Sequence, residues 1–116
     1  MKVKRIVPNF TATDVAKARQ FYVEVLGLEV VMDQGWIVTL AASTKMAPQI
    51  TIASEGGSGT AVPDISVEVD DLDEALRRVR ALGLAIEYGP TSEPWQVRRF
   101  YVRDPLGRLV NILVHE

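Results

Sequence analysis

Residues 6–28, IVPNFTATDVAKARQFYVEVLGL, are echoed by residues 62–84, VPDISVEVDDLDEALRRVRALGL. A displacement of 57 residues sets Val7 on Asp64, Asp14 and Val15 on Asp71 and Leu72, and Ala18 on Ala75. A one-residue deletion then brings Leu26-Gly27-Leu28 onto Leu82-Gly83-Leu84. Few positions are identical, but the order of structural signals is the same, which is the trace of an internal duplication. Half of a 116-residue chain would be marginal alone. The repeat therefore predicts a single domain, residues 1–116, built from a module 1–55 and a module 62–116 joined by a glycine-rich hinge at 56–61.

Composition removes several functional classes. Without cysteine there is no disulfide framework and no thiolate zinc site, as suits a reducing cytoplasm. No apolar run approaches the length of a membrane span, and MKVKR leads straight into a strand-like segment. Thirteen basic against fifteen acidic residues give a formal charge of −2, which supplies no general field for nucleic acid. The expectation is a cytoplasmic protein that binds neither membrane nor nucleic acid. Arg77, Arg78 and Arg80 form the one basic cluster and read as the solvated face of a helix.

Residues 3–10 suit a strand, with Pro8 pointing to an edge or irregular pairing. Thr13 or Asp14 then caps a helix that runs to about Val25 and stops at Gly27. Segments 30–33, 36–42 and 49–54 read as strands. In the second copy Asp71 and Glu74 have capping-box spacing, and Leu72, Ala75, Leu76, Val79 and Leu82 recur at helical intervals. Segments 84–88, 97–103 and 108–114 supply the remaining strands, while EGGSGTAVP makes backbone ordering costly between the halves. Each half is thus read as β-α-β-β-β. The predicted fold is α+β, with curved mixed sheets around a shared cavity and the helices outside.

This organisation, with FYVEVLGL after the first strand and YVRDPLGRLVNILVHE at the end, resembles the glyoxalase, bleomycin-resistance and extradiol-dioxygenase superfamily, the vicinal oxygen chelate fold. The likeness spans essentially the whole chain. Its strongest pieces are the aromatic pair before a Leu-Gly-Leu helix stop and Asp104-Pro105-x-Gly107 before the last strand. Within that superfamily SEPWQVRRFYVRDPLG looks most like the antibiotic-binding branch, although Gln96-Val97 replaces the usual single glycine after Trp95. Asp104-Pro105 and Gly107 make a good turn in their own right, so this motif speaks for the scaffold and not for catalysis.

The resemblance implies four inward-facing metal positions in the enzymatic members. They fall on Val7, Thr51, Asp64 and Asn111 here, with Gln49 and Ala53 sharing the strand face of Thr51. Val has no electron pair to donate, Thr and Asn are weak neutral ligands, and one carboxylate does not make a divalent site. No metal, no cofactor and no catalytic residue are therefore expected. His115, the only histidine, lies beside Glu116 and shares an alternating face with Asn111; a terminal structural role is favoured over proton transfer. Glu68 shares the face of Asp64 and Ser66, which reads as a solvated strand end. No Ser-His-Asp or Cys-His arrangement is present, and EGGSG lacks the Lys-Ser/Thr ending of a phosphate loop.

What remains is a cavity lined for an organic ligand. Trp36, Trp95, Phe100 and Tyr101 offer broad apolar surfaces, and Trp95 sits in the polar stretch TSEPWQ, where it closes over a ligand, meets a partner or packs locally. Arg98 and Arg99 face opposite sides of one strand, so one of them reaches the cavity. The candidate ligand-binding set is Asn9, Trp36, Gln49, Thr51, Asp64, Ser66, Trp95, Arg98, Tyr101 and Asn111. The expected function is metal-independent sequestration of a small planar molecule, with a bleomycin-like antibiotic as the leading class. A divergent lyase or dioxygenase using Asp64, Asn111 and Gln49 or His115 is the enzymatic alternative. A non-catalytic structural or interaction protein is the third. The resemblance and the incompletely covered half-sheets both point to a homodimer, with cavities near the subunit boundary.

Overall fold

The structure, a computed structural model, describes every residue except Met1, Val3 and Pro48. Both repeated helices form where the repeat places them. Helix α1, Val15–Glu24, is capped by Asp14, whose carboxylate accepts the Lys17 amide. Helix α2, Leu72–Ala81, is capped by Asp71, which accepts the Glu74 amide in the same way. The Glu74 carboxylate turns to Arg77 and Arg78 and leaves the reciprocal half of the capping box unformed. Both helices end at a glycine in the left-handed region, Gly27 with φ of +68° and Gly83 with φ of +72°.

The second half is complete. Strand β3, Ile65–Glu68, pairs in parallel with β6, Leu109–His115; β6 pairs antiparallel with β5, Val97–Arg103, and β5 with β4, Ile86–Glu93. The order β3-β6-β5-β4 gives a mixed four-stranded sheet. One of its faces carries Phe100, Val102, Val110 and Ile112, which pack with Leu72, Ala75, Leu76 and Val79 of α2. Phe21, Tyr22 and Val25 of α1 enter the same cluster, so one core holds both halves together. The α+β class with outer helices and mixed sheets is as the sequence predicts.

The first half differs from expectation. Only β1, Glu29–Asp33, and β2, Val38–Ala41, form a sheet, an antiparallel pair with a bulge. Residues 4–10 and 49–54, both read as strands, pair with nothing among the described residues; Val3 of that first expected strand lies outside them. Their composition suits strands, but a strand needs a neighbour to satisfy its backbone. The apolar side chains that such a neighbour and its sheet would cover stand in solvent, with Ile50 74% and Ile52 95% exposed. The Cα radius of gyration is 14.5 Å. A compact domain of this length would have about 13.4 Å.

The FYVEVLGL and DPLG motifs touch. The Tyr22 hydroxyl of FYVEVLGL donates to Asp104 Oδ2 of DPLG at 2.8 Å, in a buried bond between the two halves. Asp104 Oδ1 meanwhile accepts the Leu106 and Arg108 amides at 2.9 and 2.8 Å, which shapes the turn into β6.

Candidate functional site

The face of the four-stranded sheet away from α2 carries a row of polar and aromatic groups. Strand alternation puts Phe100 and Val102 in the core and Val97, Arg99, Tyr101 and Arg103 on this face. Asp64, Ser66, Glu68, Asn111, Leu113 and His115 join them from the neighbouring register positions of β3 and β6. The bulged β4 brings Tyr88 opposite Tyr101 and Glu93 opposite Val97.

Arg99 organises the inner end of this face. Its guanidinium is buried, donates through Nε to Glu93 at 3.2 Å and through Nη1 to the Tyr101 hydroxyl at 2.9 Å. It lies 5.4, 5.2 and 5.0 Å from the ring centres of Tyr88, Trp95 and Tyr101. The Tyr88 and Ser58 hydroxyls also donate to Glu93. These donors, Ser58 first and Tyr88 next, outweigh burial and hold the Glu93 carboxyl below the usual carboxylate range. Every group in this cluster is satisfied, so it fixes the aromatic rings in place.

The glycine-rich segment 56–61 is docked against that cluster. Arg99 Nη2 donates to Gly57 O at 3.3 Å, the Tyr101 hydroxyl to Ala61 O at 3.2 Å, and Thr60 Oγ1 lies 3.1 Å from the Tyr101 hydroxyl. Gly57 is in van der Waals contact range of Trp95; a methyl there would stand 2.7 Å from Cη2. Beside this segment opens a cavity of about 220 Å³ lined by Thr60, Ala61, Glu87, Tyr88, Tyr101, Arg103 and Leu109. The Arg103–Glu87 ion pair, 2.8 Å, stands half-exposed at its rim. A larger groove of about 570 Å³ runs between α1 and β1, but Arg19, Gln20, Glu24 and Glu29 along it are exposed and it holds no buried polar group to orient a ligand.

Farther along the face, Asn111 Nδ2 donates to Ser66 Oγ at 3.1 Å while Asn111 Oδ1 is buried without a partner. Asn111 is 6% exposed, so this acceptor is buried with no partner among the described residues. Asp64 Oδ2 is bound to the Leu109 amide at 2.7 Å, and His115 Nδ1 to Glu68.

The predicted residues separate into two groups. Asp64, Ser66, Tyr101 and Asn111 share the face, and Trp95, 49% exposed, borders it through Arg99 and Gly57. Arg98 lies on the other side of the sheet and pairs with Asp73 of α2 at 3.1 Å. Arg99 occupies the position by the cavity. Asn9, Trp36, Gln49 and Thr51 are exposed in the first half, and among the described residues no hydrogen bond joins them to this face. The candidate set left out Tyr88 and Glu93, and of the two arginines on opposite sides of β5 it took Arg98 where Arg99 faces the cavity. The usable signal was the parity of β5: once Phe100 is core, Arg99 and Tyr101 must look the other way.

The sequence model of the glyoxalase/bleomycin resistance protein/dioxygenase superfamily matches residues 3–112. The chain belongs to this superfamily. No curated protein shows significant sequence similarity to it. Among solved structures it is similar to TnmS3, an antibiotic binding protein from Streptomyces sp. CB03234, at 22% identity over 100% of this chain and 97% of that one, with a TM-score of 0.68. TioX from Micromonospora sp. ML1 matches at 22% identity over 100% and 96% of the two chains, with a TM-score of 0.61. A lactoylglutathione lyase from Agrobacterium tumefaciens matches at 24% identity over 89% and 87%, with a TM-score of 0.60. These likenesses establish the fold.

The superfamily's enzymatic members use a divalent metal, and the residues here do not fit one. Val7 offers no donor, and Thr51 lies exposed in an unpaired segment. The Asp64 carboxylate is engaged by the Leu109 amide, and Asn111 contributes one neutral oxygen. Among the described residues no helix is long and apolar enough to cross a membrane.

Proposed function

We propose that this chain binds a small planar organic molecule stoichiometrically on the sheet face opposite α2, leaving its covalent bonds unchanged, and that a bleomycin-like antibiotic is the leading ligand class. The observation that carries the reading is the pairing of a fixed aromatic wall, Tyr88 and Tyr101 with ring centres 5.4 Å apart, with an unsatisfied buried acceptor at Asn111. A flat ring system gains apolar and stacking contact chiefly from Tyr88, since Tyr101 is 2% exposed, and a donor on its edge meets Asn111 Oδ1, which is sealed from solvent here, as the amide turns outward. The likeness to TnmS3, an antibiotic binding protein, supports this class.

The same reading includes a homodimer whose subunits complete each other's sites. It is supported by the exposed apolar residues of segments 4–10 and 49–54, which carry strand-like sequence and no strand partner. The modules 1–55 and 62–116 are the units we expect to pair, within a chain or between chains.

Titration with metal-free bleomycin, followed by tryptophan fluorescence, tests the binding. Saturable quenching at one molecule per site supports it. No saturable binding, together with metal-dependent turnover of a hemithioacetal or catechol, sinks it in favour of an enzyme. Mass by light scattering at several concentrations tests the assembly, and a monomer of 12.8 kDa that still binds ligand removes the intersubunit site.

A further inference from the structure

The segment joining the halves is held in an unusual way. Gly57, Ser58 and Gly59 have φ of +84°, +52° and +75°, so three successive residues stand in the left-handed region, one of them not glycine. The two glycines adopt this region freely, whereas Ser58 is strained there and is held by its bond to Glu93. Its backbone bonds are internal, Gly56 N to Thr60 O at 2.9 Å and Thr60 N to Gly57 O at 3.0 Å. Its attachment to the sheet goes through side chains: Arg99 to Gly57 O, Tyr101 to Ala61 O, and Ser58 to Glu93. The two bonds that end on main-chain carbonyls, 3.3 and 3.2 Å, are at the long edge of hydrogen-bond geometry. Arg99 and Tyr101 are thus donors on a recognition face, presently satisfied by carbonyl oxygens of a segment whose other ties to the sheet are the side-chain contacts of Ser58 with Glu93 and of Thr60 with Tyr101.

We infer that residues 57–61 act as an internal stand-in for the ligand, displaced when a molecule presenting carbonyl acceptors binds to Arg99 and Tyr101. This rests on the reading of the face as a binding site and adds both a ligand chemistry and a control. With the segment in place the accessible cavity ends at Thr60 and Ala61; with it lifted, the cavity continues to Arg99 and the Trp95 ring. Wild-type affinity is then lowered in proportion to the fraction of molecules with the segment lifted. An open fraction of about one tenth weakens apparent binding about tenfold.

The test uses the full chain with metal-free bleomycin, rich in amide carbonyls, and proflavine, a planar cation without one. Ser58→Ala removes the bond to Glu93, and Gly57→Ala sets a methyl against Trp95. Both variants act in the segment and spare Arg99, Tyr101 and Tyr88. We expect amide exchange of residues 57–61 to quicken about tenfold in either variant, and in the wild type on saturation with bleomycin, while β5 and β6 stay protected. Bleomycin should bind the variants about tenfold more tightly, and proflavine should gain less. Equal bleomycin affinity in wild type and variants, with the segment still protected in the complex, overturns the displacement but leaves binding intact. An equal gain for proflavine overturns the carbonyl requirement. Absence of binding of either compound to all three proteins overturns the binding reading as well.

Discussion

Replacing Tyr22 by Phe isolates the bond that joins the two family motifs. The ring has its own contacts, edge-on to Phe21 at 5.0 Å and tilted to Phe10 at 6.5 Å, and Phe keeps them. What disappears is the donor to Asp104 Oδ2, on a residue that is 4% exposed. Asp104 Oδ1 retains the Leu106 and Arg108 amides, so the turn keeps its shape and the loss is confined to one charge-assisted bond. Such a bond contributes about 1.5–3 kcal/mol, and the orphaned carboxylate oxygen has little access to water. The expected loss is about 2 kcal/mol, or about 8 °C in Tm for a domain of this size. A cycle with Asp104→Asn should show a coupling of about 1 kcal/mol or more.

The pH dependence provides a second reading of the same bond. Burial first, then the hydrogen bond to Asp104, raises the Tyr22 phenol well above its ordinary value. Above about pH 10 the unfolded tyrosine gives up its proton while the folded one keeps it. The folded state then binds more protons than the unfolded, and stability falls with rising pH by at most about 1.4 kcal/mol per unit. Tyr22→Phe lacks this limb. Urea unfolding at pH 7 and pH 10.5 measures both effects, and a variant within 0.5 kcal/mol of wild type at pH 7, with an unchanged alkaline decline, refutes the reasoning.

Asn111→Leu removes a buried acceptor without a partner, so stability should hold or rise by up to about 1 kcal/mol while bleomycin affinity falls about tenfold; calorimetry and fluorescence titration read the two separately. Glu93→Gln breaks a buried ion pair and should destabilise by about 3 kcal/mol at pH 7. Because the folded Glu93 carboxyl is held low, its contribution is present above the ordinary glutamate range and fades as pH falls through the folded value. The gap between wild type and Glu93→Gln in urea midpoint should therefore narrow at pH 3.5.

The repeat made the helices, their Asp caps, their glycine stops and the superfamily legible before any coordinates, because each rests on local chemistry. Strand β5 emerged at 97–103 as expected, since its β-branched and aromatic residues are uninterrupted. Strand β4 runs on to Glu93 because the chain crosses Gly89-Pro90 as an irregularity in the ladder, where the sequence reads as a break. The Glu93–Arg99–Tyr88 cluster was hidden for the same reason: its members are brought together by that irregularity and by pairing across strands. The glycines of 56–61 showed that the backbone can adopt left-handed geometry. They carried no sign that Arg99 and Tyr101 would hold it there.

The repeat also says which pairing the first half lacks. In the second half, β3 and β6 are the first and last strands, and they meet in parallel with Ser66 opposite Asn111. Their counterparts by position are the segments around residues 7–10 and 49–54, the two that stand unpaired. Parallel pairing is the least local contact in such a half and slightly the weaker kind per residue, so it is formed only where packing on both faces supports it. The second half has that support, from α2 on one face and from segment 56–61 on the other. The first half has α1 on one side and, among the described residues, no comparable cover on the other, where Ile50 and Ile52 remain exposed. In the proposed dimer, a second copy covering this face would supply the missing condition, so that strand formation in the first half and completion of the proposed binding face would both follow assembly.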